Sequence, residues 1–375
     1  MTLDLIRLSR SYLGSEEKEA VCRVIENGFL GMGQEAQKFE VELTAYLGGD
    51  VSVACVNTGT SALQLALQAI GVGLGDEVLV PSLTYVASFQ AISATGAKPV
   101  ACDVELETGF IDLNDAESRI TDRTKAIMPV HFASYVGGMP EVYKLSKWHG
   151  LRVVEDAAHS FGCTLNGKRI GSYCDVVCFS FDGIKNITSG EGGAVVSSDS
   201  DVIDRVRDSR LLGVEGDTEK RFSGGRSWTF DVKEQGWRYH MSDLMAAIGR
   251  AQLSKSDSMF QRRKEITRQY TEGLKGIPSV ELYHFSTQGV DVDMVPHIFP
   301  IKVANPDALI AHLSTKGVQC GKHYQPNHLL SFFANGNSLP NAEYLGSRNV
   351  SLPLHPGISD TDVSRIIKCI RDYFK

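Results

Sequence analysis

The chain has 375 residues, more than one hydrophobic core usually serves, so two domains are expected. Hydrophobic residues make up 42% of it and charged residues 22%, the balance of an ordinary soluble globular protein. The formal net charge of -7 argues against nucleic acid or an anionic membrane as the main partner.

The cysteines and the N-terminal stretch favour a cytoplasmic location. The eight cysteines include no CxxC pair and mostly lie in apolar runs, as expected of free, largely buried thiols in a reducing compartment. The N-terminal stretch MTLDLIRLSRSYLG has no long apolar run behind its charges, which argues against a signal peptide. Since no run approaches the length of a bilayer crossing, we expect a soluble protein with no membrane partner.

Between about residues 50 and 200, apolar runs alternate with amphipathic, helix-like segments. The apolar runs are VSVACV, DEVLVP, AKPVACDV, KAIMPV, LRVVEDA, DVVCFSF and GAVVS. Runs without polar alternation indicate strands buried on both faces. The pattern therefore predicts an α/β fold, with a mostly parallel sheet flanked by helices and ligands at the carboxyl ends of its strands.

After residue 250 the pattern changes to a smaller α+β arrangement. A long charged helix pattern, SKSDSMFQRRKEITRQYTEGLKG, precedes a strand candidate, VPHIFPIKV, and two further helix patterns. We therefore expect a large α/β domain over residues 1–250, including the N-terminal segment, and a small α+β domain over residues 251–375.

The first candidate binding motif is NTGTSAL at residues 57–63, which follows a predicted strand and opens a predicted helix. A helix start offers free N–H groups and a positive dipole end to a phosphate, and the hydroxyls of Thr60 and Ser61 could add donors. An ordinary helix cap has the same residue types and is the commoner explanation for this motif alone.

The second motif, PSLTYV, places Tyr85 just past the predicted DEVLV strand. An aromatic ring there could stack on a planar ligand, although a core aromatic is the commoner case.

The third motif, VVEDAAHS, ends a buried strand with Asp156. Burying a carboxylate costs several kcal/mol unless it is paired, by an order-of-magnitude estimate. A protonated pyridine ring is one possible partner, and a helix cap or a structural salt bridge is the alternative.

The fourth motif, FSFDGIKNITSGEGG, frames Lys185 between a strand-like run ending near Ser180 and a glycine-rich turn. A lysine that is partly desolvated at a strand end has a lowered pKa and becomes nucleophilic. A surface turn lysine is the commoner explanation, but the glycines and the apolar strand argue against it here. Together the four motifs supply a phosphate cradle, a ring support, an acid and an amine, which are the needs of pyridoxal 5'-phosphate (PLP).

These motifs make the chain resemble the fold-type I, PLP-dependent sugar-nucleotide aminotransferases of the DegT/DnrJ/StrS group. The likeness extends over nearly the whole chain, and its most specific part is FSF-x-x-x-K with a following EGG, spaced in this way from EDAAH. The resemblance implies a reaction in which L-glutamate converts PLP to pyridoxamine phosphate. The amino group then passes to a keto sugar on a nucleotide, and 2-oxoglutarate is the by-product.

The resemblance also implies roles for individual residues. Lys185 would form the Schiff base with PLP, Asp156 would keep the pyridine nitrogen protonated, and Tyr85 would stack on the ring. The remaining contacts would come from His159 near the ring hydroxyl, from Thr60, Ser61 and Ser180 at the phosphate, and from His323 and Tyr324 at the sugar nucleotide. The family further implies a homodimer whose active sites borrow residues from the partner subunit.

Several positions depart from the family pattern. Asp182 stands where His or Tyr is common, which places a carboxylate near the cofactor or the substrate. Arg238 replaces an asparagine that would reach a neighbouring subunit's phosphate, and arginine can still bind phosphate there. His240 replaces an arginine and so removes a fixed charge, and PVHFASYVGGMP lacks the usual HLYG.

The segment KNITSGEGG matches family members that aminate C4 of the sugar, whereas C3 enzymes more often have K-N-L-G. The resemblance thus favours a 4-keto-6-deoxyhexose on dTDP, UDP or GDP, with a product that serves surface glycans such as O-antigens of lipopolysaccharide. The alternatives are the same chemistry at C3 and a non-catalytic PLP-binding regulator.

Two other functions are less well supported by the sequence. Lys185 argues against a related dehydratase, which has histidine at this position. A zinc site at Cys320, His323 and His328 lacks an obvious fourth ligand.

Overall fold

The computed structural model describes residues 5–285, 289–334 and 336–375. Residues 1–4 of the expected large domain, and residues 286–288 and 335 of the expected small one, lie outside the described residues.

The strands of the described ranges are β1 (Ser52–Val56), β2 (Glu77–Pro81), β3 (Lys98–Cys102), β4 (Thr124–Ile127), β5 (Arg152–Asp156), β6 (Thr164–Leu165), β7 (Lys168–Arg169), β8 (Val176–Ser180), β9 (Gly193–Ser197), β10 (Glu281–Leu282), β11 (Val292–Asp293), β12 (Phe299–Lys302) and β13 (Asn349–Leu352). The α-helices are α1 (Ser15–Glu26), α2 (Gln34–Leu47), α3 (Gly59–Ala69), α4 (Val86–Ala94), α5 (Leu113–Ser118), α6 (Met139–His149), α7 (Ser200–Ser209), α8 (Asp217–Phe222), α9 (Asp243–Ser254), α10 (Ser256–Leu274), α11 (Pro306–Thr315), α12 (Pro340–Arg348) and α13 (Asp360–Tyr373). Short 3-10 helices lie at Phe132–Ser134 and Asn327–Leu329.

A seven-stranded sheet forms the centre of the fold, in the order β1-β9-β8-β5-β4-β2-β3. The strands β2, β3, β4, β5 and β8 pair in parallel, and β9 is antiparallel to both of its neighbours. Each of the seven apolar runs contributes one strand of this sheet, which confirms the predicted α/β fold with a mostly parallel sheet.

Both faces of the sheet are buried, because successive side chains along each strand point to opposite sides. Val153 on β5 packs in the same core as Phe39 of α2, whereas the next residue, Val154, packs in the core that contains Leu65 of α3. This two-sided burial explains why the strands read as continuous apolar runs.

The C-terminal part has a second sheet, in the order β10-β12-β13, with antiparallel pairing. Its core includes Ile266 and Tyr270 of α10, Val350 of β13 and Ile366 of α13. The predicted strand VPHIFPIKV is shorter than expected, because β12 begins only at Phe299. The domain boundary near residue 250 stays a prediction.

The described residues contain no helix with the combination of length and apolar character that a membrane crossing requires. All eight cysteines are free thiols. Cys55, Cys102, Cys163 and Cys178 are buried, but Cys22 on α1 is exposed and departs from the expected pattern.

Candidate active site

A cavity of about 430 Å³ lies where β5 and β8 end and where α3 and α4 begin. It is the position at which parallel α/β sheets bind ligands. Most of the predicted site residues line it, namely Thr60, Tyr85, Asp156, His159, Ser180, Asp182, Lys185, His323 and Tyr324. Ser61 and Arg238 are not among the lining residues.

The start of α3 forms one end of the cavity. Thr58 is its N-cap: the Thr58 Oγ1 accepts a hydrogen bond from the Ser61 amide at 3.0 Å, and the Ser61 Oγ accepts one from the Thr58 amide at 3.1 Å. Ser61 is thus engaged in a reciprocal cap and is buried, whereas Thr60 faces the cavity. The helix itself offers no acceptor for the N–H groups of Gly59 and Thr60, so they are placed to bind an anion.

Gly59 keeps this cradle open, because a Cβ atom there would lie 2.7 Å from the Cβ and 2.9 Å from the Oγ of Ser180. We expect Gly59→Ala to displace Ser180 and to weaken binding of PLP by about tenfold or more, the equivalent of a lost charge-assisted hydrogen bond. The measurement is a fluorescence titration of the apoprotein with PLP. Gly73→Ala is the matched control, since the nearest atom to its added Cβ is 3.9 Å away. Equal affinities for the two variants would contradict the prediction.

Asp156 ends β5 and is 6% exposed. Its Oδ2 accepts a hydrogen bond from the Ser88 Oγ at 2.7 Å, and its Oδ1 accepts one from the Ala158 amide at 3.2 Å. Within the described ranges, no Lys, Arg or His forms an ion pair with this carboxylate. The structural salt bridge considered from the sequence is therefore not found there, and the buried carboxyl group faces the cavity without an ion-pair partner.

Lys185 lies in a tight turn after β8. The turn is closed by main-chain hydrogen bonds from the Lys185 amide to the Asp182 carbonyl at 3.1 Å and from the Phe181 amide to the Gly192 carbonyl at 2.8 Å. Burial lowers the pKa of the Lys185 amine, Asp156 and Asp182 oppose this, and the charge of Arg263 adds to it. Lys185 is thus a lysine of the cavity and not of a surface turn. Its lowered pKa favours the neutral amine.

Aromatic side chains line the rest of the cavity. The His159 Nε2 lies 3.0 Å from the Tyr324 hydroxyl, and the His159 Nδ1 is buried without a hydrogen-bond partner. Burial, followed by the charges of Lys185 and other histidines, holds the pKa of His159 well below its usual value. Tyr85 is 60% exposed and its ring lies 5.9 Å from the Tyr324 ring, so Tyr85 is available to a ligand and is not a core aromatic.

The departures from the family pattern lie in different places. Asp182 lines the cavity beside Lys185, whereas Arg238 is exposed and pairs through its main chain with Leu211. Burial, with smaller contributions from nearby arginines, lowers the pKa of His240 to about 4, so this position supplies no charge at neutral pH.

The residues of the possible zinc site make other contacts. The His328 Nδ1 lies 2.7 Å from the Ser82 Oγ and its Nε2 lies 3.2 Å from Glu343, while the His323 Nδ1 lies 2.7 Å from the Ser351 Oγ. In the part of the chain that the structure describes, no group of three or more His, Cys, Asp or Glu side chains is arranged to hold a metal ion.

The sequence patterns did not identify Ser88, His297, Arg263 or Glu191 as residues of the site. His297 and Glu191 line the cavity, and Ser88 binds the Asp156 carboxylate. A signal for Ser88 was present, since it lies one helical turn after Tyr85. His297 and Arg263 had no such signal, because only the tertiary fold brings them to Lys185.

Three histidines with lowered pKa values predict an acid-sensitive fold. Burial lowers the pKa of His240, His323 and His355 to about 4 each, below the value of about 6.5 for an unfolded chain. The unfolded chain therefore binds more protons below pH 6.5, and the free energy of unfolding should fall as the pH drops from 6.5 toward 4. Urea denaturation between pH 8 and 5 measures this. His355→Gln should reduce proton uptake on unfolding by up to about one proton. If the slope of the free energy of unfolding against pH were the same as in the wild type, the lowered pKa of His355 would be contradicted.

The residues of the cavity fit PLP. The start of α3 supplies free N–H groups for a phosphate, Asp156 is a buried carboxylate that lacks a cation, and Lys185 is an amine with a lowered pKa. The unpartnered His159 Nδ1 and the exposed Tyr85 ring complete the set. Each feature is matched by one part of the cofactor: its phosphate, pyridine nitrogen, aldehyde, ring hydroxyl or ring face.

Comparison with known proteins supports this interpretation. A family model described as the DegT/DnrJ/EryC1/StrS aminotransferase family matches residues 11–371. The structure of S. venezuelae DesV is 35% identical, with a TM-score of 0.88 over 96% of this chain and 95% of that chain. Spr1654 of Streptococcus pneumoniae in its PLP form is 29% identical, with a TM-score of 0.90 over 99% and 98% of the two chains. The sugar aminotransferase CalS13 from Micromonospora echinospora is 28% identical, with a TM-score of 0.89 over 98% and 100%.

Proposed function

Because this chain belongs to the DegT/DnrJ/EryC1/StrS aminotransferase family, whose members depend on PLP, we propose that it transfers an amino group from L-glutamate to a nucleotide-linked keto sugar. One observation carries the proposal: the Lys185 amine and the unpaired Asp156 carboxylate line one cavity together with the open start of α3. The sugar class is supported by the likeness to CalS13, a sugar aminotransferase.

When bound, PLP supplies an aldehyde that bonds amines reversibly and a cationic ring that accepts electrons from a breaking C–H bond. The N–H groups of Gly59 and Thr60 and the Ser180 hydroxyl would hold the phosphate. Asp156 would keep the proton on the pyridine nitrogen, and Ser88 keeps the carboxylate oriented by its hydrogen bond.

Lys185 would move the proton between the substrate and the cofactor. Its lowered pKa increases the fraction of neutral amine that can accept a proton at physiological pH. Its position in the cavity makes this transfer effectively intramolecular, which contributes much of the rate. His159 stays neutral beside it, so this side chain accepts or donates a hydrogen bond without adding a competing charge.

We propose C4 of a 4-keto-6-deoxyhexose as the acceptor, because KNITSGEGG matches the pattern of C4 enzymes. Amination at C3 is the alternative, and the nucleotide stays open among dTDP, UDP and GDP. His323, Tyr324 and Asp182 line the cavity and would contact the sugar nucleotide. The product would serve a surface glycan such as an O-antigen of lipopolysaccharide, and the free thiols fit a reducing cytoplasm.

The test starts from the absorbance of the PLP-loaded protein. L-glutamate should bleach the visible band, and a keto-sugar nucleotide should restore it. Matched 4-keto and 3-keto nucleotide sugars then decide the position, and restoration by the 3-keto sugars alone would overturn the C4 proposal. A band that no amino acid bleaches would favour a non-catalytic PLP-binding regulator.

We further propose a homodimer with shared active sites, in which the exposed Arg238 reaches a phosphate in the partner's site. Mixing Lys185→Ala subunits with Arg238→Ala subunits tests this, because a mixed dimer would regain one intact site. Absence of recovered activity, with mixed dimers verified by mass spectrometry, would count against the proposed role of Arg238.

A further inference from the structure

Arg263 on α10 is a buried arginine without a carboxylate partner. It is 1% exposed, and among the residues that the structure describes no Asp or Glu forms an ion pair with it. Arg210, which is equally buried, is paired with Glu40. Because burying an uncompensated charge is unfavourable, Arg263 calls for an explanation beyond packing.

The guanidinium of Arg263 binds main-chain oxygens from three separate segments. Its Nη1 donates to the carbonyls of Pro296 at 3.4 Å, His297 at 3.3 Å and Leu354 at 3.2 Å. Its Nη2 donates to the carbonyl of Lys185 at 3.5 Å. The side chain thus joins the Lys185 turn to the segments before β12 and after β13.

We propose that Arg263 is a positioning residue for Lys185, which holds the turn in place and whose uncompensated charge disfavours protonation of the Lys185 amine. The inference rests on the role of Lys185 in the proposed function. Arg263 would act on Lys185 from outside the cavity. It lies on α10, a helix for which the sequence pattern indicates only many charged residues.

Burial is the largest cause of the lowered pKa of Lys185, and the charges around the amine act in both directions. Asp156 at the end of β5 and Asp182 in the same turn favour the charged amine, and Glu191 lines the cavity nearby. Burial holds the pKa values of the neighbouring histidines below their usual range, so they add no positive charge at neutral pH; these are His159, His297 and His323. Among these neighbours, Arg263 is the fixed cation that opposes the carboxylates.

The experiment measures the pH dependence of dinitrophenylation of Lys185 by 1-fluoro-2,4-dinitrobenzene in the full chain without PLP, followed by peptide mass spectrometry. Arg263→Met should raise the midpoint pH of Lys185 dinitrophenylation by about one pH unit, because a nearby like charge is removed. Arg262→Gln is the matched control: it removes the same charge one residue earlier, where Arg262 contacts Asp360 and the Ile358 carbonyl. Its midpoint should equal that of the wild type.

Arg263→Lys provides a second test if Arg263→Met does not fold, since it keeps the charge and loses the planar fork. Its midpoint should stay within about 0.3 pH unit of the wild type, well below the effect of a removed charge. A rise of a full unit in Arg263→Lys, or no rise in folded Arg263→Met, would overturn the proposal. An ordinary midpoint in the wild type would instead count against the role of Lys185, and the readout needs no substrate.

Discussion

Lys185→Ala is expected to abolish transamination, with kcat lowered by more than about 10³-fold, because in the proposed function this one side chain supplies both the covalent anchor and the proton carrier. The visible absorbance band of the PLP-loaded protein should also be lost. Lys185 is the lysine among the cavity-lining residues, and its turn is closed by main-chain hydrogen bonds that alanine retains. The variant should therefore fold, and the loss of activity would come from the missing amine and not from misfolding.

The measurement combines single-turnover kinetics with L-glutamate and an absorbance spectrum of each variant. Lys144→Ala is the matched control, since Lys144 is an exposed lysine paired with Glu141 on α6. Circular dichroism should show equal folding of both variants. A Lys185→Ala protein that keeps its band and more than a tenth of its rate would reject Lys185 as the reactive amine.

Asp156→Asn is expected to lower kcat by about 10²- to 10⁴-fold, because a neutral amide no longer favours the protonated pyridine nitrogen. The substitution is nearly isosteric: the amide oxygen can accept the hydrogen bond from the Ala158 amide, while the amide NH2 can donate to the Ser88 hydroxyl, which also serves as an acceptor. A loss of this size would therefore come from the missing charge and not from misfolding. Since the effect concerns the transition state, kcat should fall more than the affinity for L-glutamate.

Two variants serve as controls for Asp156. Asp156→Glu keeps the charge but moves it, so it should retain more activity than Asp156→Asn. Ser88→Ala removes the orienting hydrogen bond, together with contacts of the hydroxyl to Thr84 and Tyr85, and should cost about tenfold or more, in line with the net value of one hydrogen bond to a charged group. If Asp156→Asn were as active as the wild type, the carboxylate would have no part in holding the ring proton.

Much of the fold could be predicted from local patterns. Strands that are buried on both faces need apolar residues at every position, so all seven strands of the central sheet were visible as runs. The strand VPHIFPIKV was predicted too long, because Pro296 and His297 belong to the segment that passes Arg263 and the cavity before β12 begins. Periodicity alone does not separate such a segment from a strand.

The residues of the site were also predictable in part from the sequence. Lys185, Asp156, Tyr85 and the start of α3 stand at the ends of strands, where the topology of a parallel sheet brings them together, so their types and spacing were sufficient to predict a common cavity. The sequence by itself therefore determined the fold class and the chemical groups of the site.

Only the tertiary structure decided which groups are charged and what holds them. The unpaired carboxylate of Asp156 and the uncompensated charge of Arg263 depend on neighbours that are distant along the chain. Electrostatic effects follow distance and burial in space, and neither quantity is encoded in the local pattern of residues.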